Sequence, residues 1–258
     1  MAATIRKSFF VSRLIKCLPI NPLAPNIQAT FPGFFCILLL LTLYIFLNMT
    51  KIYKFKGDIS SDALKELEKH SNISLDTEGS GLQIPHRDRL SLIQLSSGNN
   101  EAYIIQPSQQ YQCPNIVKIL ENEKITKIGH YLRYDVLNLQ YFLKCQVKNI
   151  WDSKVCSKLV RTYSQNHGLK DLVFEFCEGK KLNKQYGSSD WNKSLDEMTD
   201  AMLQYAAGDV IYLHKIKDAL HKMLVRENRL ELFESCMKFL PSRIKLDEKL
   251  FTEDIFAH

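Results

Sequence analysis

The chain has 258 residues, of which 45% are hydrophobic and 24% are charged, a composition typical of a folded protein with a sizeable core. Its formal net charge is +6, but the first 48 residues contain four basic residues and no acidic one. The rest of the chain therefore carries a net charge of only about +2. The global charge therefore does not argue for nucleic-acid binding, and any basic binding groove must be local.

The cysteines indicate a reducing compartment. The chain contains seven of them, five beyond residue 48, and none forms a C-x-x-C pair. An odd number without a regular spacing argues against a disulfide framework and against a thiolate metal site. We therefore expect buried, reduced thiols and a cytoplasmic location.

The N-terminal extension, residues 1–48, differs in character from the rest of the chain. Its segment Phe34–Leu47 is an apolar run that is short for a membrane-spanning helix, although extension to residues 29–49 reaches a plausible length. Basic residues on its N-terminal side would suit a signal anchor and hence a membrane-anchored protein. The other interpretation is a mispredicted start, with translation beginning at Met49, and we favour it because the run is short.

The elements predicted after Met49 belong to a single α/β domain, residues 49–258. In chain order they are a strand at Ile52–Phe55, a helix from about Ser61, strands at Asn72–Thr77, Leu90–Leu95 and Ala102–Ile105, a helix from near Pro114, a strand at Ile125–Ile128 and a helix carrying Tyr134 to Phe142. Short connections between the three consecutive strands favour antiparallel pairing. Helices predominate after Trp151. This order predicts a mixed sheet flanked by helices, with a helical C-terminal half.

Asp76 and Glu78 are expected at the end of the second predicted strand. Their i, i+2 spacing places both side chains on one face, where they could share a cation. Gly79 and Gly81 come directly after this pair and would let a ligand approach the backbone. A D-x-E triplet is a weak pattern by itself, and the competing interpretation is a solvated pair at a strand-to-turn junction.

Three further polar residues could complete the site. Tyr205 and Asp209 lie one turn apart on one face of a helix predicted to begin near Leu195, and the small residues between them would let that helix pack closely on a sheet. Asp135 is expected near the start of its own helix, where it could instead serve the helix dipole. Four carboxylates and a phenol in this order predict an oxygen-only site for two divalent cations and metal-assisted attack on a phosphodiester.

Residues 49–258 resemble the ribonuclease D branch of the DEDD 3′-to-5′ exonucleases, in its small single-domain bacterial form. Beyond the D-x-E, Asp135 and Y-x-x-x-D motifs, the matching segments are Arg89-Leu-Ser-Leu-Ile-Gln-Leu, His167-Gly-Leu-Lys-Asp-Leu, Ser188-Ser-Asp-Trp and Gln204-Tyr-Ala-Ala-Gly-Asp-Val. A sister branch has histidine where this chain has Gln204, so the tyrosine (DEDDy) branch is indicated. The resemblance implies a ribonuclease H-like fold and a metal-dependent exonuclease that shortens RNA, and possibly DNA, from its 3′ end.

The resemblance also implies a role for each residue of the site. Asp76 would bridge two metal ions, Glu78 and Asp209 would complete the first metal site, and Asp135 would hold the second ion, largely through water. Tyr205 would orient the attacking water. Mg²⁺ or Mn²⁺ suits this all-oxygen ligand set, and the sequence contains no Cys/His pattern for zinc.

Substrate binding is expected to combine local cations with stacking. The candidate residues are Leu82, His130, Tyr131, Lys170 and Lys181. His130 could equally be structural, and lysine clusters are usually solvated faces. Trp151 and Trp191 are predicted to be packing anchors rather than base platforms.

Two other functions stay open from the sequence. One is a catalytically weak nucleic-acid-binding module, because a fold alone does not determine activity. The other is a membrane-tethered adaptor, which requires residues 29–49 to be a genuine anchor. Since the helical domains of longer relatives are not part of this sequence, we also expect low processivity on single-stranded RNA.

Overall fold

The computed structural model describes residues 50–81, 88–183, 185–251 and 253–257. The predictions on the N-terminal extension, on the start at Met49 and on Leu82 lie outside the described residues. Among the helices within the described ranges, none is both long and apolar enough to cross a bilayer.

A mixed six-stranded sheet forms the centre of the described domain, with the strand order β1-β4-β3-β2-β5-β6. The strands are β1 (Lys51–Lys56), β2 (Asn72–Gly79), β3 (Leu90–Ser96), β4 (Glu101–Gln106), β5 (Thr126–Gly129) and β6 (Ile150–Asp152). β3 pairs antiparallel with β2 and β4, as their short connections predict. The pairs β1–β4, β2–β5 and β5–β6 are parallel. β6 was missed because three residues are too few to show a period-two pattern.

Helices cover the sheet and make up most of the chain after residue 152. They are α1 (Ser61–Leu67), α2 (Pro114–Glu121), α3 (Arg133–Leu143), α4 (Ser153–Val160), α5 (Leu169–Phe176), α6 (Asp200–Ile211), α7 (Leu213–Arg226) and α8 (Leu230–Glu248). The predicted start of α6 near Leu195 is wrong. Thr199 is its N-cap, and the Thr199 hydroxyl accepts a hydrogen bond from the backbone N–H of Met202 at 3.3 Å.

The α6 helix packs directly on the sheet. Ala206 and Ala207 are fully buried, and they lie against side chains of β3 and β4 that include Ala102 and Ile104. Side chains this small allow a close approach of helix and strand backbones, as the sequence predicts. The close approach brings the C-terminal part of α6 over β2.

The buried cysteines and tryptophans agree with the predictions. The five cysteines in the described residues are free thiols, and all but Cys236 are buried. Trp151 and Trp191 are 7% and 2% exposed, so both are packing residues. Burial also raises the pKa of the Cys113 thiol to about 12, which makes it an inert core group.

Candidate active site

Three carboxylates converge between β2 and α6. Asp76 and Glu78 come from β2 and Asp209 from α6, and one carboxylate oxygen of each lies within 4.8 Å of those of the other two. Asp209 is 7% exposed, and the two strand residues are half-buried. Three acids this close repel one another unless a cation lies between them. Their oxygen-only donor set fits a hard divalent cation such as Mg²⁺ or Mn²⁺.

The two acids of β2 lie within the hydrogen-bonded ladder, not at the end of the strand. β2 continues to Gly79, two residues past the predicted end, because its pairing with β3 continues and Asp76 lies opposite Gln94. The register shifts between Glu78 and Gly79. The end of this strand could not be predicted from hydrophobicity, because polar residues occupy alternate positions there. Their place in the ladder gives both carboxylates a rigid support.

A hydrogen-bond network joins the two elements that carry the cluster. The Ser74 hydroxyl lies 2.8 Å from the carbonyl oxygen of Val210 and 3.2 Å from His214 Nδ1. His214 Nε2 lies 3.1 Å from the carbonyl oxygen of Asn72, which can only accept, so Nε2 carries a proton. Burial lowers the pKa of His214 and favours the neutral ring. Because Val210 directly follows Asp209, the network helps to set the position of that carboxylate.

No sequence signal identified this network, since a buried serine and a histidine 140 positions away in the chain form no motif.

Asp135 is not a member of the three-carboxylate cluster and lies next to Thr77 of β2, the residue between Asp76 and Glu78. It occupies the first turn of α3, as predicted, and is 5% exposed. The Thr77 hydroxyl donates a hydrogen bond to Asp135 Oδ1 at 2.6 Å. Burial raises the pKa of Asp135 to about 7, and the hydrogen bond from Thr77 opposes that shift. The structure thus brings three of the four predicted ligands together and places the fourth next to β2.

Tyr205 is held as a protonated hydrogen-bond donor. Its side chain is hydrogen-bonded to Asp209, and burial together with the carboxylates of the cluster raises the pKa of the phenol far above its usual value. The ring packs against Trp191, with centroids 5.8 Å apart, and against Tyr186, with centroids 6.4 Å apart. Trp191 thereby orients the phenol, a role that no sequence motif assigned to it.

A cleft of about 340 Å³ opens beside Tyr205 and Asp209. Its lining comprises Thr50, Lys181, Leu182, Asn183, Ala201, Gln204, Tyr205, Gly208, Asp209, Ile211 and Tyr212. Lys181, a predicted substrate-binding residue, therefore lies at the site. Lys170 is exposed in the first turn of α5 and does not line this cleft, so its role stays a prediction.

The other two predicted substrate-binding residues lie at the end of β5. Tyr131 is 45% exposed and has a positive φ of 65°, whereas His130 is half-buried with Nδ1 2.9 Å from Ser153 Oγ. The hydrogen bond to Ser153 gives His130 a structural contact. Both residues precede Asp135 in the turn that leads into α3.

Residues 55–225 match the family model described as 3′-5′ exonuclease. The chain belongs to this 3′-5′ exonuclease family. Ribonuclease D of Shewanella sp. is 29% identical over 143 residues, which are 55% of this chain and 35% of that protein. DNA polymerase I of Aquifex aeolicus is 30% identical over 166 residues, 63% of this chain and 26% of the polymerase. The chain thus spans about a third or less of the length of these two relatives.

Solved structures of Brucella melitensis NrnC share the fold of this chain over most of its length. NrnC with bound Mg²⁺ is 37% identical with a TM-score of 0.74, and NrnC bound to pGG is 38% identical with a TM-score of 0.75. Each comparison covers 81% of this chain and 99% of NrnC. The predicted ribonuclease H-like α/β fold and the resemblance to ribonuclease D are both confirmed.

Proposed function

We propose that this exonuclease is a metal-dependent 3′-to-5′ exoribonuclease that hydrolyses the last phosphodiester of an RNA chain. The observation that carries the proposal is the convergence of Asp76, Glu78 and Asp209 within 4.8 Å, with the Tyr205 phenol hydrogen-bonded to Asp209. Hydrolysis of a phosphodiester requires neutralisation of charge and a positioned water, and this group of side chains is suited to both.

Two divalent cations, Mg²⁺ or Mn²⁺, are part of the proposal. Asp76, Glu78 and Asp209 would hold the first ion, and Asp135 would contribute to the second from its place beside β2. When bound, such ions supply a polarised water and neutralise the charge that develops on the phosphate. The NrnC structure with bound Mg²⁺ supports this choice of metal.

The side chains of the exonuclease have separable tasks in this scheme. Tyr205 keeps its proton, so the phenol does not act as a general base, and its oxygen positions the attacking water by hydrogen bonding. The cleft beside Asp209 would receive a nucleotide that flanks the scissile bond. Lys181, which lines this cleft, would bind a negatively charged phosphate of the substrate.

Short RNAs are the substrates that we favour. The NrnC structure bound to pGG supports an RNA of a few nucleotides as a ligand of this site. The roughly 340 Å³ of the cleft suits single-stranded chain ends better than a duplex. RNA oligomers of two to about ten nucleotides, assayed beside DNA of the same sequence, would show whether short RNA is preferred.

The decisive experiment compares two carboxylate variants in one helix. The full chain is incubated with 5′-labelled RNA in Mg²⁺, Mn²⁺ or EDTA, and we expect a ladder that shortens from the 3′ end only when metal is present. Asp209→Asn should nearly abolish this activity. Asp200→Asn, an exposed carboxylate in the first turn of the same helix, should retain it. Equal degradation by wild type and Asp209→Asn would indicate a contaminating nuclease and refute the proposed site.

No observation on the described residues favours a catalytically weak binding module, since three carboxylates and the tyrosine lie close together. The membrane-tethered adaptor and the cytoplasmic location stay predictions.

A further inference from the structure

An aromatic ring and a cation form a pair next to Asp135. Tyr131 lies at the end of β5 and Lys154 in the first turn of α4, and Lys154 Nζ is 4.3 Å from the centroid of the Tyr131 ring. Tyr131 is 45% exposed. Lys154 is half-buried and forms no ion pair among the residues that the structure describes. The pair therefore combines a partly exposed ring with a lysine charge that has no ion-pair partner among the described residues.

One buried carboxylate holds both members of the pair in place. Asp152, 1% exposed, accepts hydrogen bonds through Oδ1 from the backbone N–H groups of Tyr131 at 3.3 Å and Lys154 at 2.8 Å. Its Oδ2 accepts a hydrogen bond from the N–H of Leu132 at 2.7 Å. These bonds stabilise the left-handed backbone of Tyr131, which is unfavourable for a bulky residue. Ring and ammonium are thus preorganised relative to each other.

The pair and the carboxylate cluster both lie towards the C-terminal ends of the parallel strands. β2, β5 and β6 are parallel neighbours, so their C-terminal ends lie side by side. β3, β4 and the covering helix α6 lie on one side of β2, and Tyr131 and Lys154 lie on the other. A nucleotide chain that crosses the cluster from the cleft at Tyr205 would reach this pair next.

We propose that Tyr131 and Lys154 together bind the nucleotide on the 5′ side of the scissile bond, the base against the ring and a phosphate at the ammonium. This inference rests on the proposed function. A 3′-terminal nucleotide contains only the scissile phosphate, so a second phosphate must belong to its 5′ neighbour. Proteins usually bind single-stranded nucleic acid in this way, by stacking a base on an aromatic ring and contacting a phosphate with a basic side chain. In the sequence, Lys154 is 23 positions from Tyr131 and nothing distinguishes it from other lysines.

The same chain contains a matched pair for comparison. Lys144 Nζ also lies 4.3 Å from the centroid of an exposed tyrosine ring, that of Tyr141. This pair is at the other end of α3, and Tyr141 lies about 12 Å along the helix axis from Arg133, the first residue of the helix that follows Tyr131. Its charge and ring chemistry are the same, but it is remote from the carboxylates.

The phosphate contact is tested with two RNA trinucleotides. One is unmodified, and the other carries a neutral methylphosphonate between its first and second nucleotides, so the scissile phosphate is the same in both. We expect the wild type to favour the unmodified trinucleotide about fivefold in kcat/KM, the size of one partly exposed charge contact. Lys154→Met should remove this preference, whereas Lys144→Met should keep it.

Binding is measured separately from turnover. In EDTA, the slope of log Kd against log salt for the unmodified trinucleotide should fall by about one in Lys154→Met and stay unchanged in Lys144→Met. Tyr131→Leu should weaken binding about tenfold and remove discrimination against a trinucleotide with an abasic second position. Tyr141→Leu should do neither.

The outcomes distinguish this inference from the proposed function. If the wild type hydrolyses the trinucleotide and Lys154→Met keeps both the preference and the salt slope, the inference is overturned and the exonuclease proposal stands. If no protein hydrolyses RNA, the proposed function fails, and the Kd measurements still decide whether the pair binds nucleotides. All four substitutions affect exposed or half-buried side chains, and unchanged melting temperatures would show that the fold is intact.

Discussion

Substitution of Ser74 by alanine should weaken both the fold and the metal centre. The Ser74 hydroxyl lies within 3.2 Å of three acceptors, the carbonyl oxygens of Val210 and Ser96 and His214 Nδ1. Its single proton satisfies one of them at a time, and Val210 at 2.8 Å is the nearest. Ser74 is fully buried, so no water replaces the lost donor. The carbonyl oxygen of Val210 keeps the backbone N–H of Tyr212 as a donor, so the substitution removes one buried hydrogen bond, which costs about 1 kcal/mol.

This cost corresponds to a fall in melting temperature of about 2–4 °C for a domain of this size. The effect on the metal centre comes from geometry. Ser74 precedes Asp76 by two residues on the same face of β2, and Val210 comes directly after Asp209, so the lost bond loosens the spacing of two ligands. Removal of such a supporting contact typically weakens metal affinity about tenfold or more.

Ser157→Ala is the matched control. Ser157 is also fully buried, and its hydroxyl lies 2.9 Å from His167 Nδ1, but it contacts no member of the carboxylate cluster. Titration calorimetry with Mn²⁺ and thermal melting of the metal-free proteins separate the two effects. Both variants should melt earlier, and only Ser74→Ala should bind Mn²⁺ more weakly. Equal Mn²⁺ affinity of Ser74→Ala and wild type would refute the positioning argument.

Three further predictions concern Asp135, Lys127 and Tyr205. Burial raises the pKa of Asp135 from its ordinary value of 3.8 to about 7, so the metal-free fold is increasingly penalised as pH rises between these values, and a bound cation relieves the penalty. The melting temperature in Mn²⁺ should therefore exceed that in EDTA by more near pH 8 than near pH 5.5. Asp135→Asn should reduce this pH dependence. An identical increase with Mn²⁺ at both pH values would contradict the prediction. Lys127→Met should destabilise the protein by about 2 kcal/mol in urea unfolding, because the fully buried Nζ donates to the carbonyl oxygens of Asn122 and Ile125, both at 2.7 Å. Asn122 keeps the backbone N–H of Ile125 at 3.2 Å as a donor, whereas the carbonyl oxygen of Ile125 would lose the lysine. Tyr205→Phe should lower kcat more than it raises KM, since it removes the hydroxyl that is hydrogen-bonded to Asp209 and positions water. A change confined to KM would disprove the water-positioning role.

The site residues illustrate how far local sequence information extends. Asp76 and Glu78 were recognisable because a strand places i and i+2 on one face, and Tyr205 and Asp209 because a helix places i and i+4 together. The small residues between that tyrosine and aspartate also predicted the close packing of α6 on the sheet. The exact ends of the helices and strands were harder to predict from the sequence. β2 is longer than predicted because of its pairing with β3, and α6 begins later because Thr199 caps it.

Contacts between distant residues could not be read from any pattern. Lys154 meets Tyr131 only because β5 and β6 are neighbours and Asp152 accepts hydrogen bonds from both backbones. Trp191 orients Tyr205 from a loop with no regular periodicity, and β6 was too short to be predicted at all.

Local periodicity and short motifs are enough to predict the fold class, the order of the acidic residues and the family. The distances between the acids follow only from the folded chain. The fold brings Asp209 to Asp76 and Glu78 and keeps Asp135 outside this cluster, hydrogen-bonded to Thr77. A distance between side chains on different elements depends on sheet order, register and helix packing. Those are properties of the assembled fold, whereas a motif records only spacing along the chain.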